Sequence, residues 1–355
     1  MQTDPKKAAA ILEKLYEQSS TIRIQLELAK SLYLSGELER AKKEFIIILD
    51  RPIPLTVRDK VEWYLSEIQK RQSARIYFGL YQDSNPGYVT SARTVSIFGQ
   101  TFSYQPAVNT SSETGLAIGV DIERELSPQS GYFIQGNLNT ATYQTNAFNK
   151  QSADFSIVKR WQATDYKDLR FGHETMFYGG MVLYNYAYAA SKWIFNRPNQ
   201  DYYGFSIKGG SLNFPTYSYL TGYQVQGNTF YNHNILRNLS IYFETGGDKT
   251  PASIDAYSSY GVYSTVGMQV ANEKNKLQVN LKATQLARNY WESDPFWGQI
   301  RRDRGSNYNI SITKRNLHIV GFRPVIEINY QNNNSNIPFF SYNKLFGGLF
   351  FRNVY

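Results

Sequence analysis

The sequence predicts an α + transmembrane β protein, with a short N-terminal tetratricopeptide-like helical region followed by an antiparallel outer-membrane β-barrel of about 14 strands. Three observations carry this prediction. Composition changes near residue 73, from a stretch rich in Ala, Leu, Ile, Glu and Lys to one dominated by Tyr, Asn, Gly, Ser and Thr, which marks a change of secondary structure. Before the break apolar residues recur at helical spacing; after it they alternate with polar ones, the period of a strand with two unlike faces. The 29 Tyr and 21 Phe suit interfacial belts, where an amphipathic ring sits at headgroup level. The expected organisation is a periplasmic helical domain at 1–73 and a barrel domain at 74–355.

In the first region Asp4-Pro5 places a capping acid before a proline at the first helical position. Ala9, Leu12, Leu15 and Tyr16 follow at helical spacing. A second helix carries Ile22, Leu26, Ala29 and Tyr33, turns at Ser35-Gly36, and leads into a third with Leu38, Ala41, Phe45 and Ile48, which Pro52 and Pro54 stop. Helix, Gly turn, helix and Pro over about 34 residues is the tetratricopeptide layout. A fourth helix is expected from a capping box, Thr56 with Asp59, through Val57, Val61, Trp63, Leu65 and Ile68. So short an array is below the roughly three repeats that stand alone, and the unit is expected to lean on the barrel or on a partner. Leu12, Leu26 and Leu38 read as helix–helix core, and exposed Arg23, Lys30 and Tyr33 are candidates for a peptide-binding groove.

In the second region Leu116, Ile118, Val120 and Ile122 alternate with Gly115, Ala117, Gly119, Asp121 and Glu123, and Leu277, Val279, Leu281 and Ala283 with Lys276, Gln278, Asn280 and Lys282. Further strands are expected through 132–138, 205–209, 239–243, 308–312 and 326–330. Turn chemistry is read at 84–87, Ser127-Pro128, Asn232-His233-Asn234, Gly246-Gly247-Asp248 and Gln331 to Asn336. A soluble sandwich shares such alternation. Against it stand the polar strand faces, which suit a lumen, and a final strand of Leu349, Phe351 and Tyr355, although Asn353 interrupts the apolar pattern usual there.

A mean hydropathy of −0.47 fits a barrel, because only alternate residues of a membrane strand face lipid. No window of about 18 apolar residues exists, so no transmembrane helix is expected. Met1 to Pro5 leads straight into a helix with no apolar signal region, so an export signal is expected to have been removed and Met1 added. Residues 1–73 hold 13 Lys+Arg against 11 Asp+Glu, and the rest 25 against 18, so the positive excess sits in the β region. No basic run with interleaved aromatics resembles a nucleic-acid motif, which leaves lipid phosphate or polyanionic cargo as partners.

No Cys is present, so thiol chemistry, Cys-based zinc sites and disulfides are excluded, and His173, His233 and His318 show no metal-ligand spacing. No cofactor, metal or catalytic residue is expected. A serine hydrolase in the barrel wall would need His173, beside Glu174, or His318, on a strand, and no Gly-x-Ser-x-Gly accompanies either. The densest charge cluster, Arg301, Arg302, Asp303 and Arg304, follows Trp291, Asp294, Pro295, Phe296 and Trp297. It reads as a solvated loop, as a lumenal or loop lock pairing with a carboxylate, or as a cargo contact.

Asp83-Ser84-Asn85-Pro86, Asp294-Pro295-Phe296-Trp297 with Arg301 and Asp303, Gly321-Phe322-x-Pro324, and Ser335-Asn336-Ile337-Pro338-x-x-Ser341-Tyr342 stand in that order behind the helical region. In this the chain resembles the surface lipoprotein assembly modulator (Slam) family. The resemblance implies a fourteen-strand type XI secretion translocator that moves a lipoprotein, or a secreted haem- or metal-acquisition protein, from periplasm to cell surface. It implies protein cargo, outer-membrane lipid, and a periplasmic chaperone or the barrel-assembly machinery as partners, no nucleic acid, and no enzyme activity. Asp83, Asn85, Pro86, Asp294, Phe296, Arg301, Asp303, Ser335 and Asn336 are then expected in the lumen or its loops. A polysaccharide-export or diffusion porin is the alternative, and an outer-membrane lipid hydrolase the third reading.

Overall fold

The computed structural model describes residues 4–90, 92–97, 100–103, 112–127, 130–162, 165–197, 201–272 and 274–353. Four helices come first: α1 (Pro5–Gln18), α2 (Ile22–Leu34), α3 (Leu38–Leu49) and α4 (Leu55–Arg71). Asp4 caps α1, its carboxylate accepting from Lys6 N at 3.0 Å. Gly36 takes φ +86°, a conformation side chains disfavour, and the chain behind it turns back so that Glu37 N donates to Leu32 O at 2.9 Å. Ala29, Ala41, Phe45, Ile48 and Val61 have no exposed surface, and Phe45 stacks on Tyr64 at 5.0 Å between ring centroids.

The expected capping box of α4 does not form. Pro54 starts the helix, its carbonyl accepting from Val57 N and Arg58 N at 3.0 Å each, so Thr56 already lies inside the first turn. No helix among the described residues is long and apolar enough to cross a membrane.

The strands are β1 (Gln72–Asp83), β2 (Thr94–Ile97), β3 (Gln100–Ser103), β4 (Glu113–Glu125), β5 (Tyr132–Tyr143), β6 (Lys150–Gln162), β7 (Tyr166–Tyr178), β8 (Met181–Asn196), β9 (Tyr202–Asn213), β10 (Gly222–Leu236), β11 (Leu239–Thr250), β12 (Ser259–Asn272), β13 (Leu277–Ser293), β14 (Ile300–Lys314), β15 (Phe322–Ser335) and β16 (Tyr342–Asn353). β1 and β4 to β16 close a barrel of fourteen strands, β1 pairing with β16, while β2 and β3 form a separate hairpin between β1 and β4. Helices α1 to α4 fall in one compact unit and β5 to β16 in another. The barrel has two distinct ends, the base, where β1 starts, and the mouth, where it finishes.

The wall is inside-out relative to a soluble sandwich. Leu80, Phe155, Ile207, Val262 and Ile326 are 63, 54, 53, 57 and 50% exposed on the outer face, while Asp83, Ser156, Asp168 and Thr265 are 0, 1, 3 and 3% exposed on the inner one. A band of alternating aliphatic and aromatic side chains facing out, with carboxylates and hydroxyls facing in, is stable only where hydrocarbon lies outside. The chain is a transmembrane barrel of outer-membrane type.

Tyrosines do more than form belts. Many face inward and brace the lumen: Tyr188 donates to Asp154 at 2.8 Å, Tyr184 to Glu174 at 2.7 Å, and Tyr263 and Asn228 to Glu244 at 2.6 Å each. The inner wall explains three misplaced turns. Asn232 to Asn234 lies within β10, Gly246 to Asp248 within β11, and Gln331 to Ser335 within β15. Asn, Asp and Gln that face a polar lumen give a strand the composition of a turn, and the glycines sit where strands crowd. A Cβ on Gly246 would stand 2.5 Å from the Gly227 carbonyl oxygen.

Candidate functional site

Of the motif residues read from the sequence, those at 83–86, 294–303 and 335–342 converge on the mouth, along the neighbouring strands β13, β14, β15, β16 and β1, whereas Gly321, Phe322 and Pro324 lie at the other end of the wall, where β15 starts beside the end of β16. Asp83, the last residue of β1, is fully buried. Lys344 Nζ of β16 lies 2.6 Å from its carboxylate, the Tyr143 hydroxyl of β5 donates at 2.7 Å, and Asn85 N at 3.0 Å. A buried carboxylate is tolerable only with this kind of saturation. Asn85 then folds the following turn: its Nδ2 donates to Val89 O at 2.9 Å and Asn343 O at 3.1 Å, and its Oδ1 accepts from Val89 N at 2.8 Å. Pro86 packs beneath, fully buried. The Tyr88 ring lies 4.2 Å from Lys344 Nζ and 4.3 Å from Lys150 Nζ, and burial, with Asp83 nearby, raises its hydroxyl pKa.

A second cluster stands beside the first. Asp294 Oδ1 accepts from Phe296 N at 2.9 Å and Trp297 N at 3.1 Å, an Asx turn that leaves Phe296 exposed and sends Trp297 inward onto Ile337, Phe339 and Phe340. Arg301 and Asp303, two apart on β14, share the inner face and pair at 2.7 Å, with the guanidinium 3.6 Å from the Phe340 ring. Arg302 and Arg304 point outward and are exposed. The charge run is therefore half lock and half solvated surface, as strand alternation requires.

Asn336 joins neighbouring strands: its Oδ1 accepts from Arg302 N at 2.6 Å and its Nδ2 donates to Ile300 O at 2.9 Å. Ser335 N donates to Ser341 Oγ at 2.9 Å, and Ser335 Oγ accepts from Ile337 N at 3.2 Å. Thr90 Oγ1 donates to Pro338 O at 2.8 Å and ties the turn after β1 to the turn after β15. Together the clusters form a collar that pins the start of the 84–112 connection across the final strands.

The groove candidates are all on α2. Arg23 is exposed, Lys30 pairs with Glu27 at 2.8 Å, and Tyr33 packs edge-on against Tyr64 at 5.2 Å, half-buried, its hydroxyl pKa raised by burial and by Glu67.

Among the described residues no group of three His, Asp or Glu is placed to hold a metal. The two histidines weighed for a hydrolase, His173 and His318, are not placed as that reading needs. His173 and Glu174, adjacent on β7, point to opposite faces. His173 lies 3.3 Å from Thr175 Oγ1, and Glu174 accepts from Tyr184 in the lumen. His318 lies in the 315–321 turn and not on a strand, 3.4 Å from Arg323 Nη2.

Sequence reading missed Lys344, Tyr143, Tyr88, Thr90 and Phe340. Alternation from Tyr342 puts Lys344 on the inner face, a signal that was available, whereas Tyr143 and Thr90 reach the site only through pairing of distant segments.

Residues 248–346 match the surface lipoprotein assembly modifier family. The match runs from the end of β11 to the start of β16 and contains Asp294, Phe296, Arg301, Asp303, Ser335, Asn336 and Lys344, so the resemblance read from the sequence is borne out over this stretch. No curated protein matches the chain. Among solved structures, the outer membrane channel DcaP of Acinetobacter baumannii is 8% identical over 80% of this chain and 98% of its own, with a TM-score of 0.44. A bacterial polysaccharide outer membrane secretin is 8% identical over 79% and 98%, with a TM-score of 0.43. The anion-selective porin from Comamonas acidovorans is 7% identical over 80% and 99%, with a TM-score of 0.42.

The collar makes a direct prediction for the family-matched segment. Asn336→Ala is expected to cost about 1–2 kcal/mol, because Arg302 N and Ile300 O lose their partner. Urea unfolding of the folded protein in detergent checks this.

Proposed function

We propose that the chain is an outer-membrane translocator that delivers a specific lipoprotein, or a secreted haem- or metal-acquisition protein, from the periplasm to the cell surface. The observation that carries this is that the family match, 248–346, contains the part of the mouth collar contributed by β14, β15 and β16. In this reading the four helices form a periplasmic tetratricopeptide-like domain, at 1–73, that receives cargo or its chaperone through Arg23, Lys30 and Tyr33. The barrel at 74–355 supplies the passage, and the Asp83 and Arg301 clusters hold the connection after β1 in place until cargo displaces it. The polar inner wall lets a chain pass without exposing its backbone to lipid.

A polysaccharide or solute path is the second reading, favoured by the tyrosines lining the lumen, such as Tyr186 and Tyr188 with ring centroids 5.5 Å apart. Surface display separates the two. The chain is co-expressed with a lipoprotein encoded beside its gene, and intact cells are probed with antibody or protease. Exposure of the lipoprotein only when the chain is present is the expected result. Retention of every neighbouring candidate inside, with the barrel correctly inserted and conducting small solutes, would replace the translocator reading by the porin one.

A further inference from the structure

The outer wall near the base carries a groove of about 650 Å³ whose chemistry differs from the apolar band around it. Trp161, Lys167 and Trp193 are register partners on β6, β7 and β8, so an ammonium group stands between two indoles on the face that meets lipid. Lys167 Nζ lies 4.7 Å from the Trp193 ring. Lys159, two residues before Trp161 and on the same face, lies 4.1 Å from the Tyr132 ring and 6.0 Å from Trp161. Lys167 has no carboxylate partner among the described residues.

Two acids border the groove, and both are otherwise engaged. Asp168 turns into the wall, where it accepts from Lys192 N and the Tyr166 hydroxyl at 2.8 Å each; Asp165 accepts from Asn196 N at 3.3 Å. The indole of Trp193 is fixed by donating to Ser191 Oγ at 2.9 Å, and that hydroxyl donates to Asp168 O at 2.6 Å. Toward the mid-membrane from the groove, the outward residues of β8 are small, Ser191, Ala189 and Ala187. Exposed Leu169 and Phe171 on β7 and Phe205 and Ile207 on β9 rise on either side. The result is a shallow lane, with apolar side chains beside Ser191 and Ala189 and with His173 and Ser211 beside Ala187, that ends in a cationic, indole-flanked pocket.

We propose that this groove binds an anionic phospholipid, with the phosphate between Lys167 and Lys159 and one acyl chain along Ser191 and Ala189. The charge complementarity is local: a lysine at a membrane surface contributes about 1 kcal/mol toward an anionic lipid, about five-fold in affinity. Indole rings hold the glycerol level, where an amphipathic ring is most stable. The site rests on the barrel and not on the translocator reading. Its assignment to the periplasmic leaflet, which supplies phospholipid, rests on the orientation proposed above.

The test uses the purified full chain in nanodiscs of phosphatidylcholine doped with phosphatidylglycerol that carries brominated acyl chains. Brominated phosphatidylcholine serves as the reference quencher. Quenching of the fluorescence that disappears in Trp161→Phe/Trp193→Phe is expected to show at least a five-fold preference for phosphatidylglycerol. The preference is expected to vanish in Lys159→Gln/Lys167→Gln and to persist in Lys249→Gln, whose lysine stands 4.9 Å from Trp291 on the mouth side. Equal quenching by the two lipids in the wild-type protein would overturn the proposal, as would a preference unchanged by the double substitution. Stronger competition by lipid A than by phosphatidylglycerol would also overturn it and would reverse the orientation. Failure of the translocator reading would show only in surface display.

Discussion

Lys344→Met is expected to destabilise the barrel by about 3–5 kcal/mol, the range found when one partner of a buried ion pair is removed. The side chains of Lys344 and Asp83 are 8 and 0% exposed, and their charged atoms are 2.6 Å apart. Without the lysine, Asp83 keeps the Tyr143 hydroxyl and Asn85 N but loses its paired cation, leaving only the more distant ammonium of Lys150, and the low-dielectric setting makes that costly. Because the pair joins β1 to β16, the loss is expected as an earlier urea midpoint and as release of the turn after β1, read by protease nicking between 84 and 90. Asp83→Asn/Lys344→Met removes both charges and is expected to recover most of the stability. A single variant as stable as the wild type would show that the pair does not hold the collar.

The second large effect concerns the outer face. Ile310→Arg, at an exposed position between Tyr308 and Ile312 on the outer face of β14, is expected to cost about 2–4 kcal/mol in lipid, because a guanidinium must be placed in hydrocarbon. Its neighbour Asn309 faces the lumen, where Asn329 donates to Asn307 at 2.6 Å, and Asn309→Arg is expected to cost well under half as much. Folding yield into lipid vesicles followed by urea titration measures both. Equal costs at the two positions would contradict an inside-out wall at this depth.

The helical starts were legible because they are local. Asp4-Pro5 and Gly36 each act through bonds within a few residues, and they sit where the sequence placed them. The apolar wall was legible from the alternation of Leu277, Val279 and Leu281 with Gln278, Asn280 and Lys282. The strand ends were less so, since a polar lumen puts Asn, Gly and Asp inside β10, β11 and β15 and imitates turn composition. The motif residues Asp83, Asp294, Arg301 and Asn336 could be named from the sequence, but not the partners that make a site of them. Tyr143 meets Asp83 across 60 positions and Thr90 meets Pro338 across 248, and only the register of the closed wall brings such pairs together. The aromatic content was read as interfacial belts, yet Tyr184, Tyr188 and Tyr263 point inward, because a hydroxyl can satisfy a lumenal carboxylate while its ring fills space.

The pairing of β1 with β16 also sets the order in which the barrel is completed. Ile76 N bonds to the Asn353 side chain 277 positions away, so this ladder waits for nearly the whole wall, whereas hairpin neighbours such as β10 and β11 meet at once. In the interval both edges are bare, and they carry Phe78, Leu80, Leu349 and Phe351. Two apolar, unpaired strands on one chain are templates for pairing between molecules. A cell making this protein must shield both edges from synthesis until the ring closes, and damage to β16 is felt first as aggregation, before any leak through a finished pore.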